Sequence, residues 1–405
     1  MIPRGKLDLS FSDTFAGMGY CMLDFLQPGK VLPVFPKEDR SMVTLSVRTG
    51  LDLLLTALNY PAGTEILVSS INIPDMFAII RAHQLVPVPI SVDKDTLSID
   101  LSALKAAINP RSKVLLLSHL FGSVMDMEAI IPIAKAHQLL VVEDAAQAFM
   151  GDTEGHEPLE RNPGHPETDA LLYSFGLIKT NTAVTGAVIK IKNPELFTKV
   201  KSLNEGLVRQ KTSGYLKKLI KVLLMQVLTG KIAYTLFYHL IRSCGKDFDT
   251  VLTGFTRGFP GAEVLKKIRY RPCAANQRLL ERKWNNFVPD TIRERKKLAE
   301  DILTGLPERL KIGVLNKNHS YWVLPIACKD PEGAILALRK HGFDATAKAS
   351  SLIRLSPERP INELPSALCL TQLIYLPMDV QMSSFQRKQL SLLLLKNIDQ
   401  SNEIS

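Results

Sequence analysis

The chain has 405 residues, 46% hydrophobic and 22% charged, with a formal net charge of +10. A chain of this length exceeds one compact core, so one larger and one smaller domain are expected, and the ordinary composition excludes global disorder. The charge suits nucleic acid, an anionic membrane surface or an anionic substrate without choosing among them, although no helix-turn-helix or aromatic-basic motif supports nucleic acid. Five scattered cysteines without a C-x-x-C exclude a disulfide framework and a zinc site. No metal is therefore expected, and a reducing, cytoplasmic setting fits. No apolar leader follows Met1–Lys6, so export by that route is not expected.

An apolar run of helix formers at 51–58 ends near Pro61-Ala62-Gly63, and the short, branched Glu65–Ser69 predicts a buried strand. Pro74 suits a first helical turn and predicts a helix over 75–83. Val86–Ile90 reads as a strand, 101–108 as a helix, 113–118 as a strand and 127–138 as an amphipathic helix. The strand 139–142 runs straight into Glu143-Asp144, and strand-like 170–175 and Ala187–Ile191 flank a polar turn. Short apolar strands alternating with amphipathic helices predict a mostly parallel sheet covered on both faces. Ligands bind at the carboxyl ends of such strands, which puts Ser69-Ser70, Ser118-His119, Glu143-Asp144 and Ser174-Phe175 on one rim.

The rhythm breaks at 206–260. Residues 215–242 are strongly apolar with Lys217, Lys218 and Lys221 at their start, and a polar stretch through Gly254, Gly258, Pro260 and Gly261 follows. Charged helices are expected over 274–286 and, after Pro289, over Asp290–Leu303. Segments 321–327 and Leu373–Leu376 suggest strands of a small α+β unit. The run Arg293–Lys297 (RERKK) reads as a solvated helix face.

Asp144 alone could be an ion-pair partner, a metal ligand or a helix cap, and Lys179 alone could be solvated. Together on one rim, with hydroxyl and amide groups between, they match the needs of pyridoxal phosphate (PLP). That cofactor requires an amine to anchor it, an acid at its pyridine nitrogen, and hydroxyl and N–H donors at its phosphate.

The segment Val141-Val142-Glu143-Asp144-Ala145-Ala146-Gln147-Ala148 resembles the EDAAQA signature of the DegT/StrS-type sugar aminotransferases, and Ser174-Phe175-Gly176-Leu177-Ile178-Lys179 resembles their Ser-Phe-x-x-x-Lys segment. Supporting similarities are Ser118-His119-Leu120-Phe121-Gly122 and Asn109-Pro110-Arg111-Ser112-Lys113. The resemblance runs from about Ser46 to Ile191 and more loosely beyond. It implies PLP fold type I: an α/β large domain with a mostly parallel sheet flanked by helices, plus a smaller C-terminal α+β domain. In that frame 1–45 is an N-terminal segment, 46–205 the PLP-binding domain, 206–262 a helical apolar and basic insertion, and 263–405 bridging helices and the small domain.

What the resemblance implies can be carried onto residues. Lys179 would anchor the cofactor and shuttle the proton, and Asp144 would hold the pyridine nitrogen protonated. Gln147 would lie near the ring hydroxyl. Ser174 and the Ser46-Val47-Arg48 segment at a helix start would meet the phosphate. His119, on the rim, and His319, in a segment resembling one that approaches substrate, are candidate substrate contacts. Three departures stand out. Ser46-Val47-Arg48 replaces Ser-Gly-Thr, Ser70-Ile71-Asn72-Ile73 is aliphatic where a stacking aromatic is common, and Val184-Thr185-Gly186-Ala187 replaces Gly-Glu-Gly-Gly.

The leading expectation is a homodimeric aminotransferase moving an amino group, from glutamate by family habit, to a keto group of a nucleotide-linked sugar or related envelope or polysaccharide precursor. One alternative keeps the cofactor with a lipid-linked, membrane-proximal acceptor. Another is a PLP-fold protein without turnover, acting as a binding or regulatory module. Lys179 argues against the relatives that carry histidine there and dehydrate sugars. The insertion of roughly fifty residues after Asn204 is expected either to lie on anionic lipid through 215–242, at the inner face of the membrane, or to pack on the protein or across a dimer interface. Gly230, Lys231 and His239 interrupt it as a transmembrane span.

Overall fold

The computed structural model describes residues 1–27, 35–36, 40–151, 163–256, 263–348, 351–356 and 366–399. The N-terminal half supplies helices α1 (Phe11–Leu26), α2 (Val47–Leu58), α3 (Pro74–Ala82), α4 (Leu101–Ala107), α5 (Met127–Ala136) and α6 (Pro194–Gly206). Interleaved with them are strands β1 (Ser41–Thr44), β2 (Glu65–Ser69), β3 (Ile71–Asn72), β4 (Val86–Ile90), β5 (Ser112–Ser118), β6 (Leu140–Asp144), β7 (Ala170–Ser174) and β8 (Ala187–Ile191). Seven of these form one sheet in the order β1-β8-β7-β6-β5-β2-β4. The five strands from β7 to β4 run parallel, while β8 is antiparallel to both its neighbours. The expected mostly parallel sheet is present, and its exception has a cause. No helix lies between β7 and β8, and without a crossover the chain turns straight back. The polar turn so formed carries Lys179. Strand β4 contains Pro87 and Pro89, which suits its place at the sheet edge, where half its N–H groups face no partner.

Apolar residues of α2 and α3 pack on one face of the sheet and those of α4 and α5 on the other. Helix α2 starts at Ser46, whose hydroxyl accepts from the Thr49 N–H, and ends at left-handed Asn59. Two elements exceed the sequence expectation. Strand β6 extends through Glu143 and Asp144, so those carboxylates are held by strand pairing rather than by a loop. Helix α1, which the N-terminal segment 1–45 was not expected to hold, starts with a capping box between Ser10 and Asp13 and buries Thr14, Gly17 and Cys21.

After β9 (Val208–Arg209), α7 (Thr212–Leu228) and α8 (Lys231–Ser243) meet at 98°, with Gly230 capping the second. Among the described residues no single helix is long and apolar enough to cross a membrane. The inner side of α7 packs on the protein, with Tyr215, Leu219 and Val222 in the core beneath α1. Then come α9 (Phe248–Thr256), α10 (Val264–Ile268), β10 (Tyr270–Arg271), α11 (Ala274–Asn285) and α12 (Asp290–Leu303). The glycine-containing stretch through Gly258, Pro260 and Gly261 lies outside the described residues. A separate core joins α12 to β11 (Leu324–Ala327), α13 (Pro331–Lys340), β13 (Leu373–Leu376) and α14 (Ser384–Leu394), with the short β12 (Ile353–Arg354) between α13 and β13. Strand β11 is shorter than the expected 321–327: Tyr321 packs on the small-unit core, and Trp322 is left to reach the turn after β7.

Candidate active site

The carboxyl ends of β2, β5 and β6 are stitched into one rim. Ser69 Oγ accepts from the Ser118 N–H at 3.0 Å, and Asn72 Nδ2 donates to Ser118 Oγ at 2.7 Å and to Asp144 Oδ2 at 3.4 Å. Asp144 Oδ1 accepts from the Ala146 N–H at 3.1 Å. Burial pushes the Asp144 carboxyl up, against the Ala146 and Asn72 hydrogen bonds and the charge of Lys179. Such a buried carboxylate calls for a further cation beside it. Successive side chains of a strand face opposite ways, so Glu143 turns from the rim. It accepts from Thr168 Oγ1 and from the Gly164 and His165 N–H groups. Burial alone would raise Glu143, but the His119 hydrogen bond and charge lead the effects that bring it down to about 2.

Lys179 lies in the turn between β7 and β8. Burial pushes its amine down to about 7; Asp144 works against the shift and Arg48 with it. The amine sits 3.9 Å from the ring centroid of Trp322, whose indole N–H donates to the Ile178 carbonyl at 2.9 Å. Gly122 permits this approach, since at φ +98° a Cβ there would meet the Trp322 nitrogen at 2.6 Å. Behind the turn, Val184 replaces the glycine of the family pattern yet keeps φ at +71°, a conformation that costs a branched residue about 1–2 kcal/mol. Tyr215 Oη and Asn276 Nδ2, both donating to the Ala183 carbonyl, hold it there.

The other sequence candidates fall at graded distances from this pair. Ser46, Val47 and Arg48 form the start of α2, where Ser46 Oγ is also 3.0 Å from Thr49 Oγ1. Arg48 Nε donates to Asp75 at 2.6 Å, so its guanidinium is already ion-paired while still acting on Lys179. Ser174 Oγ lies 3.4 Å from the Gly176 nitrogen. Gln147 Oε1 accepts from the Phe121 N–H at 2.8 Å, leaving its amide NH2 as the donating end. His119 is buried with Nε2 at 2.8 Å from Glu143 and Nδ1 accepting from the Met125 N–H, so both ring nitrogens are engaged by the protein. His319 is buried, stacked 4.1 Å from Tyr321 and accepts the Tyr321 N–H at Nδ1. Burial, with Lys296 assisting, holds it neutral at about 3.

Three residues of the site escaped the sequence reading. Asn72 and Trp322 carry no local signal, since each acts only through the tertiary fold. Arg295 belongs to the run read as a solvated face. Arg293 and Lys297 are indeed exposed, but Arg295 turns inward, one turn after buried Ile292 and one before buried Ala299. Both its terminal nitrogens donate to Thr180 Oγ1 at 3.2 Å, and its Nε has no partner among the described residues.

Residues 31–227 match the model of the DegT/DnrJ/EryC1/StrS aminotransferase family. A GDP-perosamine synthase of Caulobacter vibrioides is 30% identical over 155 residues, which is 38% of this chain and 40% of that protein. The chain thus aligns with about two-fifths of that relative's length. Among solved structures, Helicobacter pylori PseC, described as an aminotransferase of pseudoaminic acid biosynthesis, has a TM-score of 0.67 at 17% identity, over 98% of this chain and 99% of that one. The putative sugar aminotransferase Spr1654 of Streptococcus pneumoniae, in its PMP form, has a TM-score of 0.67 at 15% identity, over 99% and 100%. These likenesses establish the common fold. Residues 31–227, just under half of the chain, are thus similar to the DegT/DnrJ/EryC1/StrS aminotransferase family.

Proposed function

We propose that this protein is a PLP-dependent aminotransferase that passes an amino group, with glutamate as donor, to a keto group on a nucleotide-linked sugar or related polysaccharide precursor. The observation that carries the reading is a buried lysine amine lowered to about 7 on the same rim as a buried carboxylate in need of a cation. Both features fit PLP, whose aldehyde takes a neutral amine and whose protonated pyridine nitrogen matches Asp144. Bound PLP supplies an electrophilic carbon and a ring that draws electrons from the carbon losing its proton.

In this scheme Lys179 holds the cofactor and, once released, its Nζ takes the proton from the donor's Cα. Asp144, fixed by Asn72 and the Ala146 N–H, holds the proton on the pyridine nitrogen. The start of α2, with Ser46, Val47 and Arg48, and the hydroxyl of Ser174 bind the phosphate. The NH2 of Gln147 meets the ring hydroxyl, and Trp322 keeps water from the amine. A homodimer in the cytoplasm is part of the same reading. PLP-loaded protein given glutamate should release 2-oxoglutarate and then aminate a nucleotide-linked keto sugar, read by mass spectrometry. Failure of every amino donor to yield a keto acid would overturn it in favour of a binding module. A lipid-linked acceptor is a second reading, favoured by the exposed apolar faces of α7 and α8 described below.

Trp322→Ala tests the enclosure of the amine. Because burial is the main cause of the low Lys179 pKa, opening the site to water should raise it towards the ordinary lysine range. The pH midpoint of PLP capture, followed by absorbance, should then move upward by about one unit or more. An unchanged midpoint removes Trp322 from this role.

A further inference from the structure

Helices α7 and α8 bury one side and leave the other open. On α7 the buried side is Tyr215, Leu219, Val222 and Met225, while Ile220, Leu224 and Val227 form an exposed stripe. On α8 Tyr234 and Tyr238 are buried, while Ile232, Leu236 and Leu240, at four-residue spacing, are 80%, 67% and 60% exposed. Helix α1, packed against α7, adds a third stripe of Phe11, Phe15, Met22 and Leu26. Single exposed leucines are ordinary, but apolar stripes on three neighbouring helices mark a surface that meets something apolar.

The charge around these stripes selects the partner. Between positions 206 and 246 there are eight Lys and Arg and no Asp or Glu, so this short segment carries +8 against a whole-chain net charge of +10. Lys217 stands one turn before Ile220, and Lys231 directly precedes Ile232; both are exposed. A second copy docked on this face by a twofold axis would set one cationic segment against another, which is strongly unfavourable. Nor does α1 offer acids, because Asp13 is paired with Arg282 and Lys283 and Asp24 accepts from Thr212. Apolar stripes flanked by lysine and free of carboxylates complement the headgroup boundary of an anionic bilayer.

The helices are also fixed in place. Tyr215 Oη donates to the Ala183 carbonyl at 2.9 Å, and Tyr234 donates to Asp344, itself paired with Arg4 and Arg339. With its buried side so anchored and a 98° bend at Gly230, the pair lies along a surface rather than inserting through one. We propose that the α7–α8 face docks the protein on anionic phospholipid bilayers, independently of the reaction assigned above.

The test is flotation of the full-length protein with vesicles of phosphatidylcholine containing about a third phosphatidylglycerol, against phosphatidylcholine alone. Two surface variants, Leu224→Glu with Leu236→Glu and Lys217→Glu with Lys231→Glu, accompany the wild type. Wild type is expected to float with the anionic vesicles only, and each double variant to lose at least about tenfold in partitioning. Thermal unfolding and PLP absorbance should stay unchanged, because these side chains face away from both cores. Equal flotation with both vesicle types, no flotation at all, or unaltered flotation of both variants overturns the proposal. So does a dimer that the leucine variant converts to monomer by light scattering, which would assign the face to a second copy.

Discussion

Lys179→Ala protein mixed with PLP is expected to show no visible band of lysine-bound cofactor, while the wild type shows one that glutamate bleaches. Turnover should fall by about 10⁴-fold or more, as expected when the covalent group is removed. Only a neutral amine attacks an aldehyde. An ordinary lysine, with a pKa of about 10.4, is neutral in fewer than about one molecule in a thousand at pH 7. Burial brings Lys179 to about 7, so near pH 7 about half of the amine is ready. The sign of the pH dependence follows. Capture should speed up about tenfold per pH unit below 7, where the amine is protonated, and level off above it. Lys179→Arg retains a charge but no nucleophile and should fail equally, which separates covalent anchoring from electrostatics.

The same depressed pKa bears on stability. A base whose folded pKa lies below its unfolded value binds fewer protons when folded, so its burial costs stability at acidic and neutral pH, and that cost fades towards pH 10.5. Without cofactor at pH 7, Lys179→Ala should therefore unfold at the same or a higher temperature than wild type. A lost band in a protein that melts no earlier cannot be blamed on misfolding.

The parallel βα frame was legible because each buried strand is a short apolar run bracketed by turn residues, and because the EDAAQA and SFGLIK segments fall at strand ends. Legibility stopped where a residue acts through a fold contact. Trp322 reaches Lys179 only because β11 begins at Leu324 and Gly122 lets the two segments approach. Arg295 looks like one more charge in a charged run, and only the packing of Ile292 and Ala299 fixes which way it points. Helix α1 was hidden because Asp13 and Asp24 dilute its apolar stripe, although one is its capping partner and the other an acceptor for Thr212. The insertion was visible as apolar and basic, but whether it packed on the protein depended on Tyr215 and Tyr234, each tied to a residue distant in the chain.

Asp144→Asn should separate cofactor capture from catalysis. The amide keeps the shape of the carboxyl and an oxygen to accept the Ala146 N–H, and Lys179 remains in place, so PLP should still bind and give its visible band. What is lost is the negative charge that stabilises a proton on the pyridine nitrogen. Removing a preorganised charge from a buried site costs about 3–4 kcal/mol of transition-state stabilisation, so amino transfer should fall by about 10³-fold, read as keto acid formed per enzyme. Asp144 also raises the Lys179 pKa against the effect of burial. Its neutralisation should therefore shift the pH midpoint of PLP capture below about 7, opposite to the shift expected for Trp322→Ala. Turnover within about tenfold of wild type would remove Asp144 from the pyridine nitrogen. A midpoint that rose would show that Lys179 does not sense its charge.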